Sequence, residues 1–395
     1  MNATFKTTNV SYFLTKASFS NEGVNTLPSE GFDRAEREIT GWDGYAKTPL
    51  ESLERLAEQL NLREIYYKDE GPRFGLGSFK ALGGAYAVQC VLARAISQRV
   101  GKDVSLDDIR NGIYAEQAAQ ITVTSATDGN HGRSVAWGAT RFGAQCRIYI
   151  HAEVSEHRAE VMRGLGAEVV RVDGDYDASV AQARREAEEN GWLVVSDTSW
   201  PGYTQPPLDV MAGYGVMARE IVRDLPTPPT HVFLQGGVGG LAASVAAVFQ
   251  QEWGAKAPQV IIVEPELAPC LYASGKANAP TLVEIQEETL MAGLSCGEPS
   301  ELAWSVLAAV SRGFMTIPES VVAPAVRLLA NGDASQSAIN AGESAVAGLA
   351  GVMWAASDPQ AREDFNLGTG SRVVLIGSEG VTDPNVFQQI MAGEI

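Results

Sequence analysis

Ser78-Phe79-Lys80 stands inside the run Gly75-Leu76-Gly77-Ser78-Phe79-Lys80-Ala81-Leu82-Gly83-Gly84-Ala85. The glycines predict a tight turn, and the small apolar residues after Lys80 predict a helix that other backbone approaches closely. A lysine buried at the start of such a helix loses hydration, which lowers its pKa and makes its amine nucleophilic. An aldehyde is the matching electrophile, and the product is a Schiff base. The same spacing also suits a lysine that snorkels from a helix end into solvent. What accompanies the lysine has to decide between the two.

Two other segments accompany it. A strand-like His231-Val232-Phe233-Leu234 runs into Gln235-Gly236-Gly237-Val238-Gly239-Gly240, and Leu241 to Trp253 reads as a helix. Glycines let backbone amides point inward, and a helix N-terminus adds partial positive charge, so the loop suits a phosphate. It is not a Walker loop, because no Gly-Lys-Ser/Thr follows. A nucleotide, with Glu264 near the spacing of a ribose ligand, and pyridoxal phosphate both remain open at this point. The second segment, Thr124-Ser125-Ala126-Thr127-Asp128-Gly129-Asn130-His131-Gly132-Arg133, is a turn at the C-terminal end of a strand, the edge where open α/β sheets bind ligands. Its hydroxyls, at Ser125 and Thr127, and its free amides suit a substrate carboxylate, and Asn130 suits a cofactor's phenolic oxygen. Read more plainly, Asp128 or Asn130 is the N-cap of the helix that follows.

The elements that must hold these segments alternate in type. Short apolar runs at 121–124, 147–150, 168–172 and 193–195 are separated by helical patterns, and further strand-like runs lie at 231–234, 260–263 and 372–376. That alternation predicts βαβ units and parallel sheets. With 395 residues the chain exceeds what one core serves, so two domains are expected: 1–88 with 206–395 in a large one, 89–205 in a small one. A hydrophobic fraction of 45% and a charged fraction of 20% are those of a globular protein, and a formal charge of −18 argues against nucleic acid or an anionic membrane as partner. No apolar run reaches the ~18 residues of a membrane span, and the first residues lack a secretory pattern, so a cytoplasmic location is expected. Cys90, Cys146, Cys270 and Cys296 have no metal spacing; thiols are the default, with a redox-sensitive Cys270 and Cys296 as the alternative.

Taken in order, the Ser-Phe-Lys site, the Ser/Thr-x-Gly-Asn-His loop and the Gly-Gly-x-Gly-Gly loop resemble those of the pyridoxal-phosphate enzymes of the tryptophan-synthase β fold (fold type II). Within that family the chain is similar to the diaminopropionate ammonia-lyases, through Arg73 to Tyr86, Ala126 to Arg133 with its Asp128, Asp197-Thr198-Ser199-Trp200-Pro201-Gly202-Tyr203, Met291 to Pro299 and Gly342-Glu343-Ser344. The resemblance spans roughly residues 40 to 385. It implies a two-domain open parallel-sheet fold, pyridoxal 5'-phosphate as cofactor, a homodimer and a small amino-acid substrate. It implies that Lys80 carries the cofactor, that Asn130 bonds its phenolic oxygen, that Gly236 through Gly240, Val238 included, hold its phosphate, and that Ser378 faces its ring nitrogen. It further implies that ammonia is eliminated from 2,3-diaminopropionate, with Lys80 as base for the L form and Asp128 for the D form. Asp197 either binds the β-ammonium or caps a strand end, and His131 supports its loop. The rivals are a serine/threonine dehydratase-type lyase and a non-catalytic cofactor-binding protein.

Overall fold

The computed structural model describes residues 5, 8–15, 21–127, 129–174 and 176–395, the side chains of 176 and 177 excepted. Eleven strands form among them: β1 (Ser11–Leu14), β2 (Leu50–Ser52), β3 (Glu64–Asp69), β4 (Thr122–Ala126), β5 (Gln145–Ile150), β6 (Glu168–Arg171), β7 (Leu193–Val194), β8 (His231–Gln235), β9 (Gln259–Pro265), β10 (Ser311–Ile317) and β11 (Arg372–Gly377). The chain divides into two compact units. One comprises Met1–Ser29, Lys47–Ser78 and Met217–Ile395, the other Glu30–Ala46 and Phe79–Val216.

These divisions lie away from residues 88/89 and 205/206, where the sequence led us to expect them, and side-chain contacts account for the difference. Gln89 donates to Glu38 at 2.6 Å and Arg110 pairs with the same carboxylate at 2.9 Å, which brings 30–46 into the smaller unit. Asp209, buried, is held by Arg34 and Arg94 at 3.0 and 2.7 Å, which brings in the segment after 205.

In the smaller unit the sheet runs β6-β5-β4-β7, all parallel. The helices of interest are α1 (Lys80–Val100), α2 (Asn130–Arg141), α3 (Glu156–Gly164), α4 (Tyr176–Asn190) and α5 (Gln205–Asp224), the last belonging to this unit as far as Val216. The βαβ alternation expected from the sequence is realised here as β4-α2-β5-α3-β6-α4-β7. Parallel strands covered by helices carry continuous apolar runs; Ile148, Tyr149 and Ile150 are all fully buried. The small residues of α1 let α2 approach it. A Cβ at Gly84 would stand 2.8 Å from Ser134 Cβ, and one at Gly138 would stand 2.7 Å from Ala85 Cα. That closeness brings Ser134 Oγ onto the first turn of α1, where it donates to Lys80 O at 2.6 Å and accepts from Ala85 N at 3.0 Å.

The larger unit holds a seven-stranded sheet in the order β1-β10-β9-β8-β11-β3-β2. Its inner five strands are parallel and the two edge strands antiparallel. Strands β3 and β10 are mixed in polarity and were not evident from hydropathy; pairing to a parallel neighbour selects them. Helix α6 (Gly240–Trp253) follows β8. Helix α7 (Ala347–Ala355) is buried on every side, as expected of an all-apolar helix packed in a core, and Gly348 sits where a Cβ would stand 2.5 Å from Phe233 O.

The turn that leads to Lys80 is anchored by buried charge. Arg73 is fully buried and bonds Glu70 and Glu220 at 2.8 Å each, while Lys68 bonds Glu220 at 2.6 Å and Thr48 O at 2.7 Å. Two cations and two carboxylates leave no net charge, so each finds a partner away from water. This anchor holds the strained turn that follows, with Phe74 at φ 52° and Gly75 and Gly77 at φ 71° and 82°.

Gly138→Ala is expected to destabilise the smaller unit by about 1–3 kcal/mol, because the added methyl meets backbone that cannot move aside. Gly164→Ala, where a Cβ has open space, is expected to cost nothing. Denaturant unfolding of the two variants checks this; equal stability would show that α1 and α2 are not in close contact.

Candidate active site

Lys80 is the first residue of α1, and its side chain is 18% exposed. Its ammonium pairs with Asp197 Oδ2. The lysine is therefore sheltered but not stripped of partners, and it does not snorkel into solvent. Phe79 lies beneath it, with the ammonium 5.5 Å from the ring centroid. The Phe79 ring packs on Tyr214 of α5 at 4.6 Å between centroids, and Gly83 leaves the room that the Tyr214 ring occupies. Burial pushes the Tyr214 phenol up; the neighbouring Lys80 charge offsets only part of that.

Asp197 follows β7, and β7 pairs with β4. That adjacency brings 195–197 beside the loop after β4. His131, in the first turn of α2, meets Val195 O with Nε2 at 2.9 Å, and its Nδ1 lies 3.8 Å from Asp197 Oδ2. Burial alone would raise the Asp197 carboxyl. The charge of Lys80, then His131 and the hydrogen bond from Lys80, outweigh it and hold the group well below the usual carboxylate range. The loop is pinned by Tyr203, whose hydroxyl donates to Val194 O at 2.9 Å and accepts from Ser196 N at 3.0 Å. Its ring stacks on Trp200 at 4.0 Å, with the Arg184 guanidinium 3.8 Å from the Trp200 centroid. Neither Tyr203 nor Tyr214 was singled out by sequence, although Trp200-Pro201-Gly202-Tyr203 carries the pattern of an aromatic-closed turn.

Near the C-terminal end of β4, Ser125 is buried and its Oγ has no hydrogen-bond partner among the described residues. Thr127 instead turns onto its own loop, accepting from Gly129 N at 3.3 Å and Gly132 N at 3.4 Å. Asn130 is the first residue of α2 rather than its cap; Gly129 takes that place and has no side chain to cap with, while Thr127 reaches the Gly132 amide of the first turn. Asp128 lies outside the described residues.

In the larger unit, Gly236 through Gly240 join β8 to α6. Gly237 and Gly239 adopt φ 66° and 94°, open to glycine and strained for other residues, and the α6 N-terminus has no side-chain cap. A Cβ at Gly236 would collide with the Glu264 side chain, so the loop lies flat against β9. Because β11 is the neighbour of β8, Ser378 falls beside this loop, and its Oγ accepts from Gln235 Nε2 at 3.1 Å. Accepting there leaves the Ser378 hydroxyl proton for another acceptor, such as an unprotonated ring nitrogen. An uncapped helix end in a glycine cradle, with this hydroxyl alongside, fits pyridoxal phosphate. The nucleotide alternative loses its ribose ligand. Glu264 is fully buried and accepts from Leu271 N at 3.0 Å and Tyr272 N at 2.7 Å, capping the helix Cys270–Ala277; burial pushes its carboxyl up to about 8. All four cysteines are free thiols.

The Asp197 carboxyl is lower in the folded chain than in the unfolded one. Its stabilisation is therefore complete above about pH 4 and fades as pH falls through the lower folded value. Asp197→Asn in cofactor-free protein is expected to cost about 2 kcal/mol at neutral pH, by leaving Lys80 without its counter-charge. The cost should shrink below about pH 4. A cost independent of pH, in denaturant titrations, would refute the ion pair.

A family model described as pyridoxal-phosphate dependent enzyme matches residues 42–379. The diaminopropionate ammonia-lyase of Escherichia coli (strain K12) is 36% identical over 354 residues, 88% of each chain, and that of Salmonella typhimurium is 35% identical over 358 residues, again 88% of each. A crystal structure of the Escherichia coli diaminopropionate ammonia lyase in complex with an aminoacrylate-PLP azomethine reaction intermediate superposes with a TM-score of 0.86 at 32% identity, covering 98% of both chains. Among the described residues no helix is long and apolar enough to cross a membrane. With its cradle, its sheltered lysine and these likenesses, the chain belongs to the pyridoxal-phosphate dependent enzymes, and among them to the diaminopropionate ammonia-lyase family.

Proposed function

We propose that this enzyme eliminates ammonia from 2,3-diaminopropionate, in both enantiomers, to give pyruvate and ammonia. The observation that carries the reading is the ionised Asp197, sheltered and already holding an alkylammonium, that of Lys80. A β-ammonium offers the same chemistry, whereas the hydroxyl of serine or threonine needs no such carboxylate. The likeness to the Escherichia coli and Salmonella typhimurium lyases supports the same substrate.

Bound pyridoxal phosphate supplies an aldehyde for the substrate's amine and a ring that draws electrons from Cα. Gly236 through Gly240 and the α6 N-terminus hold its phosphate, Asn130 donates to its phenolic oxygen, and the Ser378 hydroxyl meets its ring nitrogen. A hydroxyl there leaves that nitrogen unprotonated, which favours elimination over transamination. Ser125 holds the substrate carboxylate through its hydroxyl, and Thr127 through the loop amides that it orders. The Lys80 amine removes the Cα proton of the L form; Asp128, on the opposite face, removes that of the D form. Asp197 binds the β-ammonium, and loss of ammonia leaves an unsaturated amino acid that water converts to pyruvate and a second ammonia. We read the enzyme as a cytoplasmic homodimer, in keeping with its free thiols.

Pyruvate release from a panel of β-substituted amino acids, both enantiomers included, tests this. Diaminopropionate is expected to exceed serine and threonine by at least tenfold in kcat/KM, and Lys80→Ala to abolish turnover; a preference for serine or threonine would favour the dehydratase reading. Asp128→Asn is expected to lower turnover of the D form about 100-fold more than that of the L form. Equal losses would refute two bases.

A further inference from the structure

We propose that His131 is the proton donor to the departing β-nitrogen, an inference that rests on the substrate proposed above. The ring is oriented from both sides. A carbonyl oxygen only accepts, so Nε2, 2.9 Å from Val195 O, carries a hydrogen and donates it. Nδ1 is then the nitrogen that gains and loses a proton, and it faces Asp197 Oδ2 at 3.8 Å. That same oxygen takes the Lys80 ammonium. A substrate β-nitrogen held by Asp197 would therefore lie beside Nδ1. Among the described residues, Asp197 and Lys80 are charged groups that face this point, with the buried Tyr214 phenol near both.

Chemistry requires a donor here. An amine leaves carbon as ammonia only if it carries the extra proton, and a β-ammonium held at Asp197 shares that proton with the neighbouring Nδ1. When Nδ1 holds it, the Nδ1–H bond breaks and a new N–H bond forms on the β-nitrogen. The Cβ–N bond then breaks with its electron pair going to nitrogen, and ammonia departs. The pair from the Cα–H bond, whose proton goes to the base, becomes the Cα=Cβ bond. His131 ends neutral and regains its proton from water, and Asp197 holds whichever nitrogen is charged.

The test compares two leaving groups. Chloride departs without a proton, so β-chloroalanine needs no donor. His131→Gln, which keeps an amide able to donate to Val195 O, is expected to lose at least about 100-fold in kcat on diaminopropionate while staying within a few-fold on β-chloroalanine. Equal losses on both would overturn the proposal and leave the proposed substrate standing. A wild-type enzyme that processes β-chloroalanine but not diaminopropionate would overturn both. A second measurement does not depend on turnover. In cofactor-free protein with ¹⁵N-labelled histidine, only four histidines contribute, so His131 is resolvable. Nε2 is expected to stay protonated, and Nδ1 to take up its proton at a higher pH than in Asp197→Asn. A ring protonated permanently at Nδ1, or one indifferent to Asp197→Asn, would overturn the assignment even if His131→Gln failed to fold.

Discussion

One oxygen, Asp197 Oδ2, receives the Lys80 ammonium and faces the His131 ring. Every nearby element can be understood by what it does for that meeting. Pairing of β7 with β4 sets the height of Asp197 relative to the loop after β4. Ser134 ties the first turn of α1 to α2 and thereby fixes where Lys80 begins. Tyr203 closes the loop behind Asp197 with two backbone hydrogen bonds. A carboxylate sheltered from water stays ionised only beside positive charge, so removing any of these supports changes its protonation as well as its position.

Charge is handled differently in the two units. Around Arg73 the two cations and two carboxylates are fully buried and mutually satisfied, which suits an anchor that does not change during a reaction. Around Asp197 the partners keep slight exposure, 18% for Lys80 and 17% for Asp197. A pair of that kind can be exchanged for a substrate at lower cost than a fully buried one. The glycine loop of the larger unit adds fixed backbone polarity. Gly237 and Gly239 hold conformations that a side chain would resist, and the end of α6 has no side-chain cap, an arrangement whose N–H groups suit an anion.

Much of the candidate site was legible because its parts are local. The glycine run before α6, the lysine at the start of a small-residue helix and the polar turn after β4 are each contiguous, and each element formed where its residues indicated. Tyr203, Tyr214 and Gln235 were not legible. Their roles depend on partners 7, 134 and 143 residues away in the chain, Ser196, Lys80 and Ser378. Glu264 was misread for the same reason: spacing suggested a ribose ligand, but its partners are the amides of Leu271 and Tyr272.

Residue type and order alone determined the βαβ alternation, the glycine-rich loop after β8 and the placing of Lys80 at the start of a small-residue helix, since these follow from hydropathy period and from the backbone freedom of glycine. Tertiary structure alone decided that β3 and β10 join the sheet, that residues 30–46 and 79–88 go with the smaller unit, and that Lys80, His131 and Asp197 share one oxygen. Strand pairing and ion pairing act through space. The chain separations of 117 between Lys80 and Asp197 and 64 between His131 and Val195 leave no trace in any local pattern.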